Sequence, residues 1–486
     1  MNDLFKRPVP LYVGLCLVCL FPILLSNVEL WDACYAEMAF LRQDFSIIEP
    51  WATKYGWYGA YYAYLLANKL ALWTGIPWKV FFNVVTVVSL LGLAREVAWY
   101  ARNRFGLEAG YGWVAAACII AFPIWHILVS TSIFINVVCF WLFMAAVRYW
   151  FSNRIVSVIL FLLSAQLFSV FSLAVGLASA EFLLTADRDN WLGRGARTFI
   201  VSLVLLLGFI GLMSVIDVNG KAGDYNTIDP AKFEYLYILF VYCAGMAGLG
   251  FLLRLGLKAP DEKRLILRRM LAVTALLFFA VLPYVALGRP MRYFGFGGFT
   301  SRHTLLTCVP IALFVAVMIR YLAQVAGLRT ARYTTVFLLA ASVAVLHQGY
   351  SHKAAALVFK DMLVQSFRSI DPPPSGYVGV QAEGYEAPRH VHSYAVNLCL
   401  YKAYGRGAWR ANGFWRRSMK INRASLEKIY RHSPSGPTNW EVTGDAFTKY
   451  GFRLTGYHQE GRFWYWLYYL RSAYAGFEPR LVRLEP

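Results

Sequence analysis

The chain has 486 residues, of which 58% are hydrophobic and only 15% charged, with a mean hydropathy of +0.48. Soluble domains carry about 25% charged residues, so an ordinary soluble globule is excluded and a polytopic membrane protein is expected. The net charge of +20 does not mark a nucleic-acid binder. Much of it lies in short loops between apolar runs, where the positive-inside rule puts it.

The first apolar span, 11–28, follows Lys6 and Arg7. It is too long for a signal-peptide core and no small-residue cleavage site follows, so it reads as a retained helix. Next comes Asp32, in Trp31-Asp-Ala-Cys-Tyr-Ala-Glu-Met-Ala39. Acids are scarce here, with 27 Asp and Glu against 47 Lys and Arg. An acid placed where a membrane helix emerges into water can act as a general base. Asp is also a favoured helix cap, and a helix is expected over Ala33–Phe40, so the local sequence leaves both roles open. Glu37 lies five residues from Asp32 and only partly shares its face, whereas Tyr35 lies three away and closer to it. The stretch from Asp44 to Trp57, which carries Lys54, is too polar to span. Tyr58–Trp73 is apolar and aromatic-rich and reads as an amphipathic helix lying at the membrane interface.

Further apolar runs cover 79–100, 111–128, 132–150, 155–171, 172–186, 198–216, 234–253, 270–287, 304–321 and 334–348. With the first, they make a mainly α bundle of about eleven spans, each long enough to cross a bilayer. Basic loops at Arg102 and Arg104, Arg148 and Arg154, Arg188 to Arg197, Lys258 to Arg269, and Arg320 to Arg332 share one side with Lys6 and Arg7. That side is cytoplasmic. Two spans run together near Phe171 and are split there, which keeps the later basic loops on this same side. Loops 29–78, 217–233 and 288–303 then face outward, as does everything from 350 to 486. The chain thus divides into a membrane part, 1–349, and an extracytoplasmic part, 350–486. In the latter, Lys360–Arg368 and Ser393–Tyr404 read as helices, Tyr377–Val380 as a strand, and Pro372-Pro-Pro-Ser-Gly376 as a linker. A small α/β domain is expected there.

Lys54 in the first outer loop and Arg289, Arg292, Arg302 and His303 in the third are cations on the side that usually lacks them. Arginine offers planar paired donors suited to phosphate, and the glycines of Gly288–His303 let backbone approach a ligand closely. Binding of lipid headgroups is the competing explanation for any single cation. Tyr35 and Tyr58 are candidate substrate contacts beside the acid. His126, with Ser130 and Thr131, reads as a satisfied polar group in the bundle, and Glu181 as an intramembrane acid in an ion pair. Asp224 and Asp229 are explained by loop polarity. The 8 cysteines read as buried small hydrophobes without ligand spacing. There is no zinc signature, phosphate-binding loop or nucleophile elbow; a divalent metal is left open.

The string around Asp32 resembles the polyprenyl-phosphate-dependent glycosyltransferases of the GT-C fold, above all the lipid A aminoarabinose transferase and protein O-mannosyltransferase branch. That family carries an Asp-Glu-x-x-Tyr-Ala-Glu-x-Ala type motif after its first helix, and Asp32, Tyr35, Ala36, Glu37 and Ala39 match it. Gln43-Asp44-Phe45 is similar to its Gly-Asp-Trp-like turn, Lys54-Tyr-Gly-Trp57 to its Lys-Pro-Pro segment, and Ser301-Arg-His-Thr-Leu-Leu with Pro310 to its Arg-Tyr-Leu-Leu-Pro-like helix start. The second acidic position is Ala33 here, Thr53 precedes the lysine, and the prolines after it are absent.

The resemblance implies an inverting transfer of a sugar from a polyprenyl-phosphate donor, in a bacterial inner membrane, to a glycan, glycolipid or protein on the outer side. Asp32 would be the general base, with Glu37 beside it. Lys54, Arg289, Arg292, Arg302 and His303 would hold the donor phosphate. The expected partners are membrane lipids, the lipid-linked sugar and its acceptor, with no nucleic acid and a monomeric chain. Two other readings compete. A polysaccharide polymerase or ligase would place its main outer loop late in the bundle. A lipid-linked sugar transporter would show repeats and broken helices in matching halves.

Overall fold

The computed structural model describes residues 9–26, 29, 33–49, 58–165, 167, 169–185, single positions between 193 and 208, 234–286, 300–370, 377–383, 393–405, 410–411, 447–454 and 481–483. These residues form a mainly helical membrane protein. Trp78–Asn103, Thr131–Tyr149, Leu236–Leu255, Pro260–Val285, Thr304–Val325 and Leu328–Arg368 are long and apolar enough to cross a bilayer. A further crossing results if Ala109–Ile120 and Pro123–Val129, bent by 46°, count as one span. Pro10–Leu24, Arg154–Ser164 and Ser169–Thr185 are shorter apolar helices. The expected span at 198–216 is described only at single positions, and the loop 217–233 lies outside the described residues.

In chain order the helices are α1 (Val9–Leu24), α2 (Ala33–Arg42), α3 (Tyr58–Thr74), α4 (Trp78–Asn103), α5 (Ala109–Ile120), α6 (Phe134–Tyr149), α7 (Arg154–Ser164), α8 (Ser169–Thr185), α9 (Glu234–Leu255), α10 (Pro260–Ala286), α11 (Cys308–Val325), α12 (Leu328–Arg368) and α13 (Ser393–Tyr404). Short 3₁₀ turns lie at Phe45–Ile47, Pro123–Val129, Thr131–Ile133 and Thr300–Thr307. The bend after α5 has a local cause. Phe122 precedes Pro123 and is extended, with φ −62° and ψ 123°, because a proline disfavours the helical conformation in the residue before it.

Prolines inside helices are handled by neighbours. Pro22 in α1 cannot donate to Val18 O, and Pro283 in α10 cannot donate to Phe279 O. In a bilayer such a freed carbonyl needs a partner from the protein. His347 Nε2 on α12 donates to Val18 O at 3.1 Å, and Ser172 Oγ on α8 donates to Phe279 O at 2.5 Å. Tyr350 Oη adds a bond to Cys19 O at 2.7 Å. The α1–α12 and α8–α10 contacts are therefore polar at the points where each helix is weakest.

The ends of the helices sort by charge. Arg104 grips Glu181 through two guanidinium nitrogens. Arg148 meets Glu96, and Arg320 meets Glu108, each at 3.3 Å. Buried Arg269 donates to Phe105 O at 2.7 Å and Gly106 O at 2.8 Å, closing the turn after α4. The C-terminal ends of α4, α6, α8 and α11 and the start of α10 thus share one end of the bundle, which holds the basic loops. Glu181 is paired, as the sequence suggests.

The junction of the fifth and sixth expected spans differs from expectation. It falls at 165–168, after Ser164, and not at Phe171. Ser164 Oγ bonds back to Phe161 O at 2.7 Å, and tight turns at Ala165, Leu167 and Val170 follow. A serine competing for backbone hydrogen bonds ends α7 without interrupting the apolar composition. The Arg104–Glu181 pair fixes α8 as running back toward the basic end.

A second difference lies in α12. The sequence separates a span at 334–348 from a helix at Lys360–Arg368, but the structure has one 41-residue helix. At 1.5 Å per residue it is about 60 Å long, twice the hydrocarbon thickness. Its first half exposes Tyr333, Val336 and Phe337, and its second half is buried from Gly349 to Phe367 at most positions. Gly349 does not break the helix; it lets α12 approach the Pro123–Val129 turn, since a Cβ there would run into the His126 ring. His126 itself is fully buried, with Nδ1 2.8 Å from Pro123 O.

Beyond α12 the strands β1 (Tyr377–Glu383), β2 (Arg410–Ala411), β3 (Phe447–Leu454) and β4 (Leu481–Arg483) form a sheet in the order β2-β1-β3-β4. β1 pairs in parallel with β2 and β3, with Tyr377 opposite Arg410 and Phe447, and β4 is antiparallel to β3. α13 packs on the second half of α12. Cys34, Met38, Phe359, Met362, Leu363, Phe367, Val396, Cys399 and Leu400 make their shared core.

Candidate functional site

At the end opposite the arginine pairs, the exit of α1 is tied down. Asn83 Nδ2 on α4 donates to Leu24 O at 3.1 Å and Ser26 O at 2.8 Å, and Ser26 Oγ donates to Val129 O at 2.5 Å. Glu29 then turns inward, with 1% of its surface exposed. Its carboxylate lies 2.8 Å from Lys79 Nζ at the start of α4. It also accepts from Ser130 Oγ at 3.2 Å, Thr131 N at 3.0 Å and Thr131 Oγ1 at 3.1 Å. Thr131 opens the turn that leads into α6, so the acid sits where helix N–H groups lack intrahelical partners and the dipole favours negative charge.

The next described element is α2, which begins at Ala33, one residue after Asp32. Its two apolar faces anchor it on both sides. Cys34 and Met38 pack against α12 and α13, while Ala36, Ala39 and Phe40 pack against α3, α4 and α6 through Tyr64, Phe82 and Phe134. Between these faces Glu37 is held by two lysines. Lys360 Nζ on α12 is 3.7 Å from Glu37 Oε2, and Lys402 on α13 pairs with Oε1. Lys360 also donates to Glu29 O at 2.9 Å and to Cys34 Sγ at 3.8 Å. One buried ammonium therefore touches the chain both before and after Asp32.

After α2, Gln43 takes φ 54°, the left-handed region a glycine enters freely. Its side chain is braced by Phe40 O at 2.7 Å and Asn68 Nδ2 at 3.0 Å. Asp44 then caps the Phe45–Ile47 turn, accepting from Ser46 N at 3.1 Å and Ser46 Oγ at 2.6 Å.

Burial raises the Glu29 carboxyl above the ordinary range, against the pull of Lys79. Burial also opposes ionisation of Glu37, but Lys360 and Lys402 together outweigh it and hold that carboxyl below the ordinary value. A base works best with a pKa near the operating pH, so Glu37 is a stable anion and a weak base. Burial pushes the Cys34 thiol up to about 11 despite Lys360, and the Cys399 thiol up to about 12. Neither is a thiolate nucleophile at neutral pH.

Of the residues singled out from sequence, Asp32, Lys54, Arg289 and Arg292 lie outside the described residues. Tyr35 is in α2 and Arg302 and His303 are in the 3₁₀ turn before α11, at the Glu29 end of the bundle, with their side chains outside the described set. Tyr58 begins α3 and is 49% exposed. Its helix buries Ala60, Tyr64 and Ala67 while Tyr62, Leu66 and Trp73 stay exposed, so both faces of α3 are apolar. Ser130 and Thr131 prove to be ligands of Glu29.

Sequence reasoning missed Glu29, Lys79, Lys360 and Lys402 as members of one cluster. The available signal was the charge of Lys79 and Lys360 within otherwise apolar helices, which demands a buried partner. No group of three or more His, Cys, Asp or Glu able to hold a metal occurs among the described residues. Compared with protein-family models, curated proteins and solved structures, the chain shows no match.

Proposed function

We propose that the chain is an integral-membrane glycosyltransferase that moves a sugar from a polyprenyl-phosphate donor to an acceptor outside the membrane. In this reading about eleven helices cross the bilayer, the N-terminus is cytoplasmic, and residues 350–486 form an extracytoplasmic α/β domain on an inner membrane. The observation that carries the reading is the treatment of the segment around Asp32. Buried Glu29 and partly buried Glu37 flank it, both bound to lysines, at the end of the bundle opposite the basic loops. Intramembrane and membrane-edge charges are expensive and mark function by default. The left-handed Gln43 followed by Asp44 also suits the glycine-aspartate turn of the resembling family.

With Glu29 and Glu37 engaged by cations, Asp32 is the acid of this segment assigned to proton transfer. It takes the proton from the acceptor hydroxyl or amine as that atom bonds to the anomeric carbon. The bond from that carbon to the donor phosphate breaks, and the polyprenyl phosphate leaves with the electron pair. Lys54, Arg289, Arg292, Arg302 and His303 are assigned to the phosphate, where cations stabilise charge as it develops. Mass spectrometry of surface glycans from cells with and without this chain tests the reading. One sugar is expected to disappear from a glycan, glycolipid or protein; an unchanged surface profile would contradict it.

A further inference from the structure

Nothing in the sequence assigns a role to the C-terminal region, yet α13 reaches the segment that carries Asp32. Lys402 on α13 and Lys360 on α12 hold the two oxygens of Glu37 on α2. Lys360 is 4% exposed and Lys402 32%, so the bridge runs from the interior to the edge of the protein. The same helix is locked to α12 from both sides of Lys402. Arg368 Nη2 donates to Lys402 O at 3.2 Å, and Tyr404 Oη donates to Phe367 O and Ile370 O. Cys399 Sγ donates to Lys360 O at 3.7 Å, which ties α13 to the residue that bridges the Asp32 segment.

We propose that Lys402 is a positioning residue: through Glu37 it fixes α2, and with it Asp32, so that the C-terminal region completes the transfer site. This rests on the glycosyltransferase reading. Lys360 grips Glu29 O, Cys34 Sγ and Glu37 and sets the depth of the segment, while Lys402 resists rotation of α2 about that pivot. Loss of Lys402 frees the charged edge of α2 and loosens the packing of Cys34 and Met38 on α12 and α13. A displacement of the base by an ångström suffices to cost about 100-fold in rate.

The test uses the full chain in lipid nanodiscs, as wild type, Lys402→Gln and Lys402→Arg. With a polyprenyl-phosphate sugar, Lys402→Gln is expected to lower kcat by about 10- to 100-fold with the donor KM unchanged, and Lys402→Arg to recover most of the rate. Site-resolved alkylation with N-ethylmaleimide supplies a readout that needs no activity. Cys34 on α2 should become reactive in Lys402→Gln while Cys399 on α13 stays protected. An unchanged kcat would overturn the proposal, as would equal exposure of both thiols, which means that α13 has detached as a whole. If the wild type transfers no sugar, the glycosyltransferase reading fails by itself. Selective exposure of Cys34 then still upholds the clamp on α2, and its absence overturns that too.

Discussion

Asp32→Asn is expected to leave the protein folded and to lower sugar transfer by about 10²- to 10⁴-fold, the usual contribution of a general base. The substitution separates the two roles open to this residue. Asparagine caps a helix about as well as aspartate, so if Asp32 only started α2, the variant would retain its rate and its thermal stability. An amide accepts no proton at neutral pH, so a base would be lost outright. The measurement is a single-turnover rate with a polyprenyl-phosphate sugar, beside an unfolding curve of the same sample. Retention of the wild-type rate would remove Asp32 from the mechanism.

Glu29→Leu is expected to carry the largest stability effect. It strands the Lys79 ammonium in a buried site and removes the acceptor of Ser130 and of both Thr131 donors. Breaking a buried ion pair from one side costs about 3–5 kcal/mol. Replacing both partners, Glu29→Leu with Lys79→Met, should recover most of that loss, because no uncompensated charge remains. Thermal unfolding of the three proteins in the same nanodiscs provides the check. A double variant as unstable as Glu29→Leu would show that the hydrogen bonds to Ser130 and Thr131, not the ion pair, dominate at this site.

The legible parts of the fold were those written in local composition. The apolar runs mark α4, α6, α9 and α11 to about a turn, whereas α10 starts at Pro260, inside the stretch read as a basic loop; β1 and α13 stand where turn residues and periodicity put them. Punctuation inside an apolar run was harder to read. Ser164 ends α7 through its own side chain, and Gly349 leaves α12 unbroken because α12 packs closely on the His126 turn. The chemistry at the Glu29 end was least legible, since it depends on contacts far apart in sequence. Glu29 meets Lys79 and Thr131 across loops, and Lys360 reaches Glu29 O from 331 positions away. The freed carbonyl of Val18 is satisfied by His347 at a separation of 329. Glu37 shows the consequence for function. Sequence alone sets it beside Asp32 as a second catalytic acid, whereas its two lysines make it an anchor.

The proposed activity is cleavage of a polyprenyl-phosphate sugar and transfer of the sugar to an acceptor. The direct measurement incubates the purified protein in nanodiscs with a radiolabelled polyprenyl-phosphate sugar and an acceptor fraction from the cell envelope. Free polyprenyl phosphate is expected to be released in step with label on the acceptor, and neither is expected in Asp32→Asn. Donor that remains intact, or that only changes leaflet without losing its sugar, would contradict it.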